Sequence, residues 1–185
     1  MIILILGASH TGKTLVAQKL LEKHKLPYLS IDHLKMGLIR SAQTKLKPSS
    51  DIDELTAYLW PILAEIIKTN IENNQHLIIE GCYVPHDYSK YFKSDELTHI
   101  KAKGIVFSKA YIDTKFDEIM KFSQVIEKRM VNDTVKAQLV KENIIHKTGC
   151  DLNNISYVYV ENEYDIDHII TNVSEMMTEA VKNAK

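Results

Sequence analysis

Cysteine is scarce in this chain of 185 residues: Cys82 and Cys150 stand far apart, and no C-x-x-C occurs. A disulfide framework or a thiolate zinc site is therefore not expected, and a reducing compartment fits better. Arginine is scarcer still. Of 23 basic residues only Arg40 and Arg129 are arginine. Charge of one sign is also missing. A formal net charge of −1 gives no basic field for nucleic acid and no polybasic signal for a membrane surface. Long hydrophobic runs are absent. The first, Ile2 to Leu6, is five residues with no basic region before it, unlike a secretory leader. No stretch is long enough to span a bilayer. The eight histidines are scattered, with no H-E-x-x-H and no i,i+4 pair, which argues against a dedicated metal centre. Internal repeats and low-complexity linkers are lacking. What remains is the expectation of one cytoplasmic α/β domain over 1–185, with no nucleic-acid, membrane or protein partner implied.

What is present is concentrated at the amino end. Ile2-Ile3-Leu4-Ile5-Leu6 has the character of a buried parallel strand. It runs into Gly7-Ala8-Ser9-His10-Thr11-Gly12-Lys13-Thr14, which satisfies G-x-x-x-x-G-K-T at every specified position. Backbone N–H groups can wrap a polyphosphate only where the chain curls closely around it, and Gly7 and Gly12 permit that curl. The helix that follows aims its free N–H groups and positive dipole end at the same anion. Lys13 can charge-pair with the β- and γ-phosphates, and the Thr14 hydroxyl can ligate Mg²⁺. The alternative is an ordinary glycine-bearing βα turn followed by a lysine. Residues 7–14 are thus the expected binding site of ATP with Mg²⁺. The guanine-reading N-K-x-D is absent, which favours ATP as donor.

The apolar periods place the rest. A helix is expected from Lys13 to His24, ended by Lys25-Leu26-Pro27. A second strand over 27–31 leads to Asp32-His33 and a short helix, Leu34 to Ser41. Asp32, at the carboxyl end of a strand, lies where α/β sheets bind ligands. It can take a proton from an acceptor hydroxyl or orient the acceptor; alternatively it only caps the helix. Lys35 and Arg40 share the segment, and Arg40 is a candidate clamp for an anionic acceptor. Arginine alone offers the planar, bidentate fork, so both arginines are either anion contacts or surface residues.

Residues 42–50 read as a loop. A long helix from about Ile52 to Asn73 follows, with Pro61 expected to kink it or to divide it in two. Tyr58 and Trp60 read as packing residues. His76 to Gly81 is the third strand. Its Glu80 either holds Mg²⁺ directly or through water, polarises the attacking group, or is a strand-end carboxylate without a ligand. Gly81 would let the chain turn away, and 82–91 is a candidate acceptor wall. A fourth strand covers Lys103 to Phe107. Two helices follow, one opened by Asp113 and one from Val135 to Lys147 closed by Gly149. Arg129, near the break at Asn132-Asp133, is placed to reach a transferring phosphoryl group from a mobile lid. A fifth strand, Ile155 to Val160, and a helix from about Asp165 to Val181 complete the chain.

GASHTGKT, SIDHLKMGLIR and LIIEG together resemble the nucleoside-monophosphate-kinase-like group of P-loop kinases, which holds adenylate, shikimate and gluconate kinases, the chloramphenicol phosphotransferase and the zeta toxins. The resemblance implies a three-layer α/β/α P-loop fold with five parallel strands in the order 2-3-1-4-5. It also implies an acceptor-binding region at about 33–73 and lid-side helices at about 113–148. Asp32 would be base or acceptor ligand, Arg129 the lid arginine, Arg40 an acceptor contact, and Glu80 an acceptor and metal contact. The activity implied is phosphoryl transfer from Mg·ATP to a small-molecule hydroxyl. Two arginines in total, and no paired-arginine lid signature, weigh against a nucleoside-monophosphate kinase proper. A non-kinase ATP-binding regulatory module is the remaining alternative.

Overall fold

The strand read at the amino end is β1, Ile2–Gly7, and every one of its residues is buried. Its alternation explains why it reads as a continuous apolar run. Ile3 and Ile5 enter one core, while Ile2, Leu4 and Leu6 enter a second on the opposite face. A strand covered on both faces has no solvent side to mark with polar residues. The computed structural model describes residues 1–122 and 135–183, with side chains described through 177.

Five strands build one sheet: β1, β2 (Tyr28–Ser30), β3 (Leu77–Gly81), β4 (Ile100–Phe107) and β5 (Tyr157–Val160). Their spatial order is β2-β3-β1-β4-β5, and each neighbouring pair is parallel. That is the order implied by the resemblance. On one face lie α1 (Lys13–His24), α5 (Lys109–Phe122) and α7 (Ile166–Asn183), through Val16, Leu20, Ile112, Ile119, Ile169 and Val173. The other face is covered chiefly by α3 (Ile52–Glu72), through Leu55, Leu59, Trp60, Leu63 and Ile67. The short α2 (Ile31–Arg40) contributes Ile31 there. A 3-10 turn at Tyr88–Tyr91 and the single-turn α4 (Ser94–Leu97) join β3 to β4. The helix α6 (Lys136–Leu152) leads back to the edge strand β5. Among the described residues no helix is long and apolar enough to cross a membrane.

Four details differ from the sequence reading. Pro61 does not divide α3, which runs unbroken. Pro61 and Ala57 are both exposed, so the carbonyl that loses its N–H partner lies on the solvent side. Trp60, fully buried and edge-on to Tyr91 and Phe92, holds the helix on the core. Gly149 does not close α6, which continues to Leu152. Its missing side chain admits the His86 ring, because a Cβ there would stand 2.4 Å from that imidazole. Helix α2 begins at Ile31, not Leu34, and helix α5 begins at Lys109, four residues before Asp113. The Ser108 hydroxyl accepts the Tyr111 N–H at 2.9 Å and so caps α5.

Candidate active site

All five strands are parallel, so β1, β2 and β3 deliver their carboxyl ends to one edge, where open α/β sheets place ligands. The loop between β1 and α1 curls there. Gly7 has φ +154° and approaches β4 so closely that a Cβ would lie 2.4 Å from the Ile105 carbonyl oxygen. Only glycine fits. His10 sits at φ 64°, left-handed backbone that few side chains adopt, and Gly12 opens the helix at φ 80°. Thr11 donates from its hydroxyl to the Ala8 carbonyl at 2.9 Å, tying the loop to itself. The Lys13 ammonium, largely buried, donates to the same carbonyl at 2.7 Å. The loop is thus closed around its own lysine.

Thr14 and Glu80, chosen separately in the sequence as metal ligands, meet: the Thr14 hydroxyl donates to Glu80 Oε1 at 3.1 Å. Glu80 is opposite Ile5 in the β1–β3 register and Ser30 in the β2–β3 register. Its carboxyl is pushed up by burial, a shift that Lys13 opposes by its charge and that the nearby Asp32 carboxylate reinforces. Hydroxyl and carboxylate oxygens side by side suit a small hard cation such as Mg²⁺. Gly81 is needed for contact more than for turning, since a Cβ would stand 2.9 Å from Cβ of Ile31.

Asp32 lies two residues beyond the end of β2, in the first turn of α2, and the helix cap position is Ser30. Its carboxylate is paired with Lys35, one helical turn on. Lys35 is buried and also donates to the Tyr83 hydroxyl at 2.8 Å, with its ammonium 4.9 Å from the centre of that ring. Asp32, Lys35 and Tyr83 therefore form one connected group, and Glu80 feels the Asp32 charge. Arg40 ends α2 and is exposed. Eight residues from Asp32, it is about 12 Å further along the helix axis. Arg129 lies outside the described residues.

Several contacts at the site are not readable from the sequence. Cys82 adjoins the Asp32, Lys35 and Lys13 charges, and burial pushes its thiol up. His86, in the segment after β3, meets His146 of α6, with His86 Nε2 and His146 Nδ1 3.1 Å apart. Burial, then His86, then Lys13 push the His146 pKa down to about 3. Burial also lowers His86. The pair is neutral near pH 7 and fastens α6 to the candidate acceptor wall. Leu139, Asn143, His146 and Cys150 form the buried stripe of α6, at helical spacing. In that stripe Asn143 Oδ1 accepts the Phe107 N–H at 2.8 Å, which ties α6 to the end of β4.

No protein-family model matches the chain, and no curated protein matches it in sequence. Solved structures do match. The shikimate kinase of Aquifex aeolicus VF5 superposes with a TM-score of 0.53 at 14% identity, over 98% of each chain. A gluconokinase of Sinorhizobium meliloti 1021 gives 0.53 at 12%, over 98% of this chain and 94% of its own. A sugar kinase of Janibacter sp. HTCC2649 gives 0.53 at 14%, over 93% and 91%. With the strand order and the loop at residues 7–14, this likeness establishes a three-layer α/β/α P-loop fold, the one adopted by kinases of the nucleoside-monophosphate-kinase-like group.

Proposed function

We propose that the protein is a Mg·ATP-dependent kinase that transfers the γ-phosphoryl group to a hydroxyl of a small-molecule acceptor. The observation that carries this reading is the meeting of Thr14 and Glu80 beside Lys13, with Asp32 at the end of the neighbouring strand. Residues 7–14 bind the phosphates, and Lys13 leaves the Ala8 carbonyl to neutralise the β- and γ-phosphate oxygens. Thr14 and Glu80 hold Mg²⁺, directly or through water; the cation supplies charge neutralisation on the phosphates when bound. Asp32 orients the acceptor hydroxyl and accepts its proton as the oxygen–phosphorus bond forms and the bond to the departing diphosphate breaks. Lys35 and Tyr83 fix the Asp32 carboxylate in place. Arg40 is the candidate contact for an acceptor anion at the far end of α2, and Arg129 the candidate lid cation. Catalysis of this kind is mostly positioning and charge stabilisation, which such a constellation can supply.

The test is ADP release with Mg·ATP and a panel of sugars, sugar acids, phosphoglycerates, hydroxylated antibiotics and nucleoside monophosphates. The expected result is stimulation by a hydroxylated acceptor, lost in Lys13→Ala with an unchanged fold and strongly reduced in Asp32→Asn. Stimulation by monophosphates alone would identify a nucleoside-monophosphate kinase. Nucleotide binding with no stimulation by any class would overturn the kinase reading in favour of a regulatory module.

A further inference from the structure

The nucleotide loop has an outer wall as well as an inner one. Tyr164 stands in the connection between β5 and α7, far from the loop in sequence. Its hydroxyl donates to the Thr11 carbonyl oxygen at 3.4 Å. It also presses on Gly12: a Cβ there would come 2.1 Å from the phenol oxygen. The ring is held edge-on to Phe107, centroids 5.8 Å apart, and Phe107 in turn meets Tyr111 at 5.0 Å. The next residue, Asp165, caps α7 by accepting the His168 N–H at 2.9 Å. Tyr164 is therefore anchored on both sides before it touches the loop.

We propose that Tyr164 is a positioning residue for phosphate binding, holding the Thr11–Gly12 peptide so that the Gly12 N–H faces the phosphate cradle. The argument is one of peptide geometry. In a trans peptide the carbonyl and the following N–H point in opposite directions. With the Thr11 carbonyl held outward by Tyr164, the Gly12 N–H points inward. The peptide next to a glycine turns over easily, because glycine accepts positive and negative φ alike. A turned peptide would aim the Thr11 carbonyl at the phosphate and repel it. The hydroxyl opposes that turn by bonding the carbonyl, and the ring opposes it by filling the space outside Gly12. Burial pushes the phenol up, so the hydroxyl stays a donor throughout the neutral range. Gly12 accordingly has two reasons to be glycine: its φ of 80° and the phenol against it.

This inference rests on the P-loop reading, so the experiment measures binding and needs no acceptor. Dissociation constants for Mg·ATP, Mg·ADP, Mg·GTP and magnesium pyrophosphate are compared between wild type and Tyr164→Phe, which keeps the ring and removes only the hydroxyl. Each should weaken by a common factor of roughly two- to fivefold, the low end for one hydrogen bond, as its 3.4 Å length implies. The ATP-to-GTP ratio should stay unchanged. Unchanged affinities would overturn the proposal. So would a loss confined to ATP, which would make Tyr164 a base contact. Absence of binding in the wild type would instead overturn the nucleotide reading itself and this proposal with it.

Discussion

Replacing His146 with glutamine keeps a hydrogen-bonding side chain of similar reach and removes a titrating group from the interior. The unfolded chain protonates this histidine near the ordinary value of 6.5, whereas the folded protein does so only at about 3. Between those two pH values the unfolded state binds more protons, so stability rises with pH. The contribution is fully present above about pH 6.5 and is lost as pH falls towards 3. Linkage with these two values removes ~2 kcal/mol between pH 7 and pH 5, at ~1.4 kcal/mol per pKa unit. In a protein of this size that is about 4–8 °C in melting temperature. The groups facing the imidazole explain the direction: burial dominates, the His86 ring follows, and the Lys13 ammonium adds a like charge. The assay is urea unfolding of wild type and His146→Gln at pH 7 and pH 5 and matched ionic strength. Wild type should lose ~2 kcal/mol more than the variant on acidification. Equal losses would refute the reasoning, because the acid sensitivity would then arise elsewhere.

Three further substitutions probe the two carboxylates and the Lys35 partner of one of them. Burial raises the Glu80 carboxyl, so the folded state resists its ionisation, and the cost appears as pH rises through the folded value. Glu80→Gln should therefore raise the melting temperature of the metal-free protein at pH 7 while weakening the Mg²⁺ dependence of nucleotide binding; a fall in melting temperature would show that Thr14 and Lys13 outweigh burial. Lys35→Met removes the ion pair with Asp32 and the hydrogen bond that Lys35 gives Tyr83, at a cost of about 1–3 kcal/mol in urea, between values for exposed and fully buried pairs. Adding Asp32→Asn to Lys35→Met should recover part of that loss, and strictly additive effects would argue against coupling of the pair.

The parts of the fold legible in the sequence are those set by local pattern. The run Ile2 to Leu6, the loop motif and the apolar stripe of α1 are contiguous, and each falls where it was expected. Glu80 stands out in the sequence as a carboxylate ending an apolar run, and its contact with the Thr14 hydroxyl places it beside the loop. The acceptor side was less legible because it depends on helix phase. With α2 starting at Ile31, Asp32 and Lys35 share one turn, whereas Arg40 falls at the exposed end. Residue type had drawn attention to the arginine, but spacing placed the lysine. His86 with His146 and Tyr164 with Thr11 are joined across 60 and 153 residues, and no periodicity encodes such pairs. One signal was available: Asn143, His146 and Cys150 recur on the apolar phase of α6 with Leu139, and polar residues on a core-facing stripe need partners. Gly149 misled for the same reason. A helix-ending glycine and a glycine that admits a ring look alike until the ring's owner, His86, is placed.

Lys13 connects the two sides of the site and shows why the ligand-free protein holds unfavourable charges there. Its ammonium opposes the burial penalty on Glu80 and adds to the one on His146. While it donates to the Ala8 carbonyl, it draws Glu80 towards its charged form without cancelling the burial that raises that carboxyl, and it pushes His146 further towards its neutral form. In the kinase reading, a polyphosphate draws the ammonium away and brings negative charge towards Glu80, which would push that carboxyl higher still. A divalent cation between them reverses the sign of the local field. On that reading Glu80 is costly without ligand and useful only when metal and nucleotide arrive together. Its removal should stabilise the fold while impairing binding, so the carboxylate serves the site and not the core.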